Sequence, residues 1–136
     1  MTRFLCATTL ILLTATSIAG PIPGDWSVRS PGNTGIPGEE IRTVDVGPDG
    51  LIYVGARWPF WQDGGVGVLD RETQVWGGFA KNYSPLPSEF VNDIEFGAGG
   101  VIWIATGNGL VRKQGEQWTI YTTANSPLLH NVIREI

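Results

Sequence analysis

Apolar residues along the chain fall in short runs, each closed by glycine, proline, asparagine or aspartate, and a 3.6-residue periodicity is nowhere sustained. The clearest stretch predicts four strands, at roughly Val91–Phe96, Val101–Ala105, Gly109–Arg112 and Trp118–Thr122. Val101-Ile102-Trp103-Ile104-Ala105 is apolar without alternation, the pattern of a strand buried on both faces. Gly47-Pro48-Asp49-Gly50 predicts a tight reversal, with proline presetting φ, aspartate bonding back to its own turn and glycine taking positive φ. Gly97-Ala98-Gly99-Gly100 does the same by glycine alone.

These elements recur. Ile36–Val44 lies over Leu86–Ile94 at an offset of fifty residues, and Val46–Gly55 lies over Phe96–Ala105 at the same offset. Trp26 and Trp76 also differ by fifty. A third copy begins at Trp118, where Ser126-Pro127-Leu128 repeats Ser84-Pro85-Leu86 at an offset of forty-two, and Ile136 stands where Ile94 stood. The longer first period is explained by eight extra residues between Gly55 and Gly65, counted against Ala105 and Gly107. A forty-two-residue unit of short strands and glycine-rich turns has the scale of a four-stranded propeller blade, and helical repeats fit it badly. The expected fold is therefore all-β, an incomplete β-propeller of about two and a half blades. Its frame is a repeat over 26–75 with an insertion at 57–64, a repeat over 76–117 and a truncated repeat over 118–136. Propellers close with about four to eight blades, and an open arc exposes the apolar faces of both terminal copies. The sequence thus reads as a fragment whose missing blades come from the rest of the chain or from other subunits.

Val-Asn-Asp-Ile-Glu-Phe, Gly-Gly-Val-Ile-Trp-Ile-Ala-Thr, Gly-Asn-Gly-Leu-Val-Arg and Gln-Trp-Thr-Ile-Tyr, all within 91–121, resemble the two-component regulator propeller repeat. The resemblance covers residues 26–136. In the first copy Tyr53 replaces the usual tryptophan, and the insertion interrupts the Gly-x-Gly-Leu segment. The resemblance implies an exported propeller, either the extracytoplasmic sensing region of a bacterial histidine kinase or a free-standing module. No transmembrane helix, kinase or phosphoacceptor segment is visible in this sequence.

The first residues point to export. Arg3 begins a positive n-region, Phe4–Leu13 is mostly apolar, and Ser17-Ile18-Ala19 places small residues before a cut at Gly20, so 1–19 reads as a signal peptide and 20–136 as the secreted or periplasmic product. The apolar run is far short of the roughly 20 residues that span a bilayer. Removing 1–19 also removes Cys6, the only cysteine, which excludes a thiol nucleophile, a thiolate metal site and a disulfide framework.

Composition narrows the chemistry further. Glycine and proline make up about a fifth of the 136 residues, while 42% hydrophobic and 16% charged content is unlike a disordered chain. The net charge of −4, with no basic run longer than Arg112-Lys113, offers nothing for nucleic acid. His130 is the only histidine and stands in a loop, so neither a metal site nor a catalytic triad is indicated. Asp45 and Glu95 are repeat mates, as are Asp93 and Glu135. Such acids could converge on a central channel for acid–base work, although recurrence on a solvent-facing strand edge explains them more simply. No calcium loop, phosphate cradle or nucleophile elbow occurs, and no catalytic residue, metal or cofactor is expected.

Four of the six tryptophans follow the repeat: Trp26, Trp76 and Trp118 at one position, and Trp103 answering Tyr53. They are expected to pack between blades. The other two lie in the insertion, where Arg57, Trp58, Phe60, Trp61 and Asp63 form the candidate ligand-binding residues. Tryptophan faces beside hydrogen-bonding side chains suit a saccharide first, another small ligand, or a protein partner's apolar anchor. The plainer reading is that these aromatics fold over a blade edge and bury themselves. The expected function is a non-catalytic binding or sensing module; a structural or protein-interaction propeller is the alternative, and a propeller lyase or hydrolase the third.

Overall fold

The computed structural model describes residues 29, 32, 34–57 and 64–136. The signal-peptide reading of 1–19 and Trp26 lie outside the described residues. Eight strands form two four-stranded antiparallel sheets, each a meander in chain order. The first blade holds β1 (Glu40–Val46), β2 (Ile52–Arg57), β3 (Gly64–Leu69) and β4 (Trp76–Phe79). The second holds β5 (Val91–Gly97), β6 (Val101–Thr106), β7 (Gly109–Gln114) and β8 (Gln117–Tyr121). The expected all-β architecture of an incomplete propeller is thus the architecture observed, and the four strands expected in the second copy are its β5–β8. Hydrogen bonding also sets the phase of the repeat: Trp76 is the first residue of β4 and Trp118 the second of β8, the outer strands of their own sheets, so each blade ends after them, in the links that follow.

The two blades share irregularities that a sequence match does not reveal. The β1–β2 and β5–β6 registers both slip at the same place, between Ile41 and Thr43 and between Val91 and Asp93. Beyond it, Ala56 faces Gly65 and Thr106 faces Gly109. Gly65 and Gly109 have φ of 130° and 127°, and a side chain on either would strike the carbonyl oxygen of the outer strand, Phe79 or Tyr121. The mate of Gly65 is therefore Gly109 rather than Gly107. Eight residues separate Ala56 from Gly65 and two separate Thr106 from Gly109, so the β2–β3 connection is longer by six. The remaining two extra residues lie in the next turn, where Leu69 pairs with Trp76 across six residues and Lys113 with Trp118 across four. Glycine recurs so often that only the ladder shows which of two nearby glycines takes the left-handed position.

The core lies between the blades. Tyr53 and Val66 of the first sheet and Leu86 of the link meet Val91, Ile94, Ile102, Ile104 and Val111 of the second, all buried. The wedge is narrow where β5 lies beside β1 and β2. There Gly55 leaves room for Thr43 and Val91, whose methyl groups fall where its side chain would lie, with Ile94 in ordinary contact beside them. Aromatics complete the contact: Phe96 of β5 meets Tyr53 of β2 edge-on at 4.9 Å, and on the outer strands Trp118 meets Phe79 edge-on at 5.3 Å. The Lys113 ammonium lies 5.0 Å from the centre of the Phe79 ring and 5.5 Å from Trp118. Trp118 thus packs between blades as expected. Trp76 packs instead against Gly35, and Trp103 stacks on Tyr121 of its own blade at 6.1 Å.

The two faces of this arc make a quantitative contrast. Replacing Ile94 by Ala should cost about 2–5 kcal/mol in urea unfolding, whereas its mate Val44, 59% exposed, should lose under ~0.5 kcal/mol as Ala. Gly109→Ala should cost about 1–3 kcal/mol through its positive φ and the Tyr121 carbonyl; Gly77→Ala, which meets open space, should be near neutral.

Candidate functional site

Antiparallel meanders send alternate connections to opposite ends of the blades. At one end are the β1–β2, β3–β4, β5–β6 and β7–β8 turns; at the other are the β2–β3 connection, the β6–β7 turn and the link from β4 to β5. The insertion leaves β2 at Arg57 and enters β3 at Gly64, at this second end. Trp58, Phe60, Trp61 and Asp63 lie outside the described residues. Arg57 is described, and its fork is engaged: Nε and Nη2 donate to Glu40 Oε2 and Oε1, each at 2.8 Å, across the β1–β2 ladder. Arg42 Nη1 donates to the same Oε1 at 3.0 Å. Glu40 sits between two guanidinium groups, the Arg57 hydrogen bond chief among the influences holding its carboxyl below the ordinary value, while Arg57 is correspondingly held protonated. The side chains of Arg57 and Glu40 are 35% and 34% exposed, so the pair is a solvated clamp on the insertion's stem.

Beside that stem is a groove of about 360 Å³ that the sequence did not single out, lined by Lys81, Ser88, Glu89, Phe90, Gly107 and Asn108, with Pro87 at its wall. Gly64 abuts it, since a side chain there would strike the Glu89 carbonyl. The floor is ordered by the backbone: Gly107 N–H donates to Phe90 O at 2.9 Å, Phe90 N–H to Ser88 Oγ at 3.1 Å, and Asn108 N–H to Thr106 Oγ1 at 3.1 Å. Phe90 is 42% exposed. The groove therefore combines an open aromatic ring with an ammonium, a carboxylate, an amide and a hydroxyl. One sequence signal pointed to it: Phe90 stands where the repeat has Glu40, an apolar ring in a charged position.

The two recurring aspartates have local roles. Asp45 Oδ1 accepts from Val46 N–H at 2.7 Å, and Asp93 accepts from Ile94 N–H at 3.0 Å and, through Oδ2, from Ile136 N–H at 3.0 Å. His130 is exposed. Among the described residues no group of three or more His, Cys, Asp or Glu is placed to hold a metal. At the opposite end, Tyr53 donates to Asp49 Oδ2 at 2.8 Å, and burial, reinforced by that carboxylate, pushes the phenol pKa up. Asp70 is held below the ordinary range by the Thr73 hydroxyl and the Glu72 and Thr73 N–H groups.

No family model matches the chain and no curated protein matches it. Among solved structures it is similar to the extracellular domain of a hybrid two-component system protein from B. thetaiotaomicron, at a TM-score of 0.63 and 18% identity over 78% of this chain. The chain spans 14% of the length of that extracellular domain. At this identity the likeness carries the fold. No helix among the described residues is long and apolar enough to cross a membrane.

The clamp has a pH signature. Glu40 has a lower pKa folded than its ordinary value of 4.5, so its contribution is present above that value and disappears as pH falls through the depressed one. The difference in urea midpoint between wild type and Glu40→Gln should be largest near neutral pH and shrink below about pH 4.5.

Proposed function

We propose that this chain is part of an exported, non-catalytic β-propeller that binds an extracytoplasmic ligand at the insertion end of its blades, in the manner of a sensor's ligand-recognising region. The groove at Phe90 and Asn108 carries this reading, because it sits beside the stem of the insertion that holds Trp58, Phe60 and Trp61. An exposed ring flanked by an amide, a hydroxyl and one charge of each sign suits a saccharide, whose C–H face stacks on aromatics while its hydroxyls exchange hydrogen bonds. A rigid scaffold presenting recognition on its connections is the ordinary arrangement for such modules. The resemblance of residues 91–121 to the two-component regulator propeller repeat and the likeness of the fold to an extracellular domain of a hybrid two-component system support a sensing role. The reading of 1–19 as a signal peptide supports export, which N-terminal sequencing of the secreted product after Ala19 checks.

Binding is tested by titrating the exported chain with a glycan library while following tryptophan emission, in wild type, Phe90→Ala and Trp58→Ala plus Trp61→Ala. The expected outcome is saturable quenching by one glycan class. Phe90→Ala should weaken affinity at least about tenfold, or about 1.4 kcal/mol, and the double variant should lose binding with folding intact. If no glycan binds, or both variants bind as wild type does, the groove and the insertion are packing features and the saccharide reading fails.

A further inference from the structure

The groove beside the insertion exists because one cross-strand pair differs between the blades. Ile41 pairs with Ala56 and Val91 with Thr106, so the next pair outward is Glu40 with Arg57 in the first blade and Phe90 with Gly107 in the second. The first blade closes that place with an ion pair, whereas the second leaves a ring beside bare backbone. Ser88 stands in the second blade where the first has Gly38. Gly107 does not take a positive φ, so its conformation does not require glycine. A side chain there would come within 3.2 Å of both Phe90 Cβ and Ser88 Oγ. Glycine at 107 therefore lets the ring and the hydroxyl lie together against the β6–β7 turn.

One polar group in this groove has capacity left over. Ser88 is 8% exposed, and its Oγ accepts from Phe90 N–H at 3.1 Å, which leaves its proton to be given. Ser84 and Ser126 give theirs to Ala80 O at 2.7 Å and Thr122 O at 2.6 Å, whereas the Ser88 proton has no acceptor among the described residues. A hydroxyl set this deep is satisfied by an acceptor that a ligand brings. Around it, the Glu89 carboxylate accepts hydrogen bonds, Phe90 and Pro87 form an apolar wall, and Lys81 balances the Glu89 charge, so that the groove favours a neutral group. A methyl for the wall, a carbonyl for the Ser88 proton and an N–H for Glu89 are the three parts of an acetamido group. We infer that the groove recognises an N-acetylated sugar through its acetamido group, seated among Ser88, Glu89 and Phe90, and that the exchange of Glu40 and Arg57 for Phe90 and Gly107 is what opens the seat. The inference rests on the saccharide reading of the same groove and narrows it to one ligand class.

Matched tetrasaccharides test it, because chitotetraose and cellotetraose share a backbone and differ only in carrying an acetamido group or a hydroxyl. In titration calorimetry of the exported chain, chitotetraose should bind at least about tenfold more tightly than cellotetraose. Ser88→Ala should narrow that ratio to under about threefold. Phe90→Glu plus Gly107→Arg, which rebuilds the first blade's pair, should abolish chitotetraose binding in a chain that still unfolds cooperatively in urea. If the rebuilt pair does not fold, the Ser88→Ala ratio decides alone. Chitosan tetramer, with an ammonium in place of each acetamido group, should bind no more tightly than cellotetraose; tighter binding makes Glu89 an ammonium site and overturns the inference. Equal affinity for chitotetraose and cellotetraose, preference for another glycan without acetamido groups, or an unchanged ratio in Ser88→Ala also overturns it and leaves the saccharide reading standing. Failure of every glycan removes both.

Discussion

Neither sheet can bury its apolar surface within its own blade. A four-stranded meander has two faces, and here both carry aliphatic or aromatic side chains, so every blade needs a neighbour. The shared core between blades therefore governs much of the rest of the structure. Because the sheets diverge from β1 and β5 outward, side-chain volume must grow in the same direction. Gly55 with Val91 and Ile94 at the narrow edge, and Phe79, Trp118 and the Lys113 stem at the wide one, meet that requirement.

The same constraint separates stability from recognition. Residues that join the blades point across the sheets, whereas connections emerge at the ends and are free to vary. Six extra residues enter between β2 and β3 without disturbing the ladder, since Ala56–Gly65 repeats the geometry of Thr106–Gly109 to within 3° in φ at the glycine. The Arg57–Glu40 clamp closes the stem of that excursion at its first step. The groove beside it is assembled from the link after β4 and the turn after β6, elements held in place by the interblade core and tied to each other by the Gly107 N–H to Phe90 O hydrogen bond.

Much of the fold was legible because it depends on local patterning that recurs. Alternating runs and turns located the strands, the uninterrupted apolar run of β6 announced burial on both faces, and recurrence at fifty and forty-two residues announced blades. Less of the candidate site was legible. Arg57 was singled out as a recognition cation, yet its fork is engaged by Glu40, seventeen residues earlier, a pairing that exists only once β1 and β2 are zipped together. Lys81 and Phe90 stand at the two ends of the link after β4 and Asn108 in the turn after β6, and they share no motif.

By itself the sequence determined the class of fold, the repeat unit and the strands of the second blade, because those follow from side-chain periodicity and turn chemistry within one unit. Tertiary structure alone decided which glycine answers Gly65, how the eight extra residues divide between two connections, and where the blade boundaries fall. It also decided which of two equivalent faces is covered, Tyr53 by its neighbour and Trp103 not. These matters turn on hydrogen-bond register and on contact between units, and identical repeat positions carry no information about which neighbour is present.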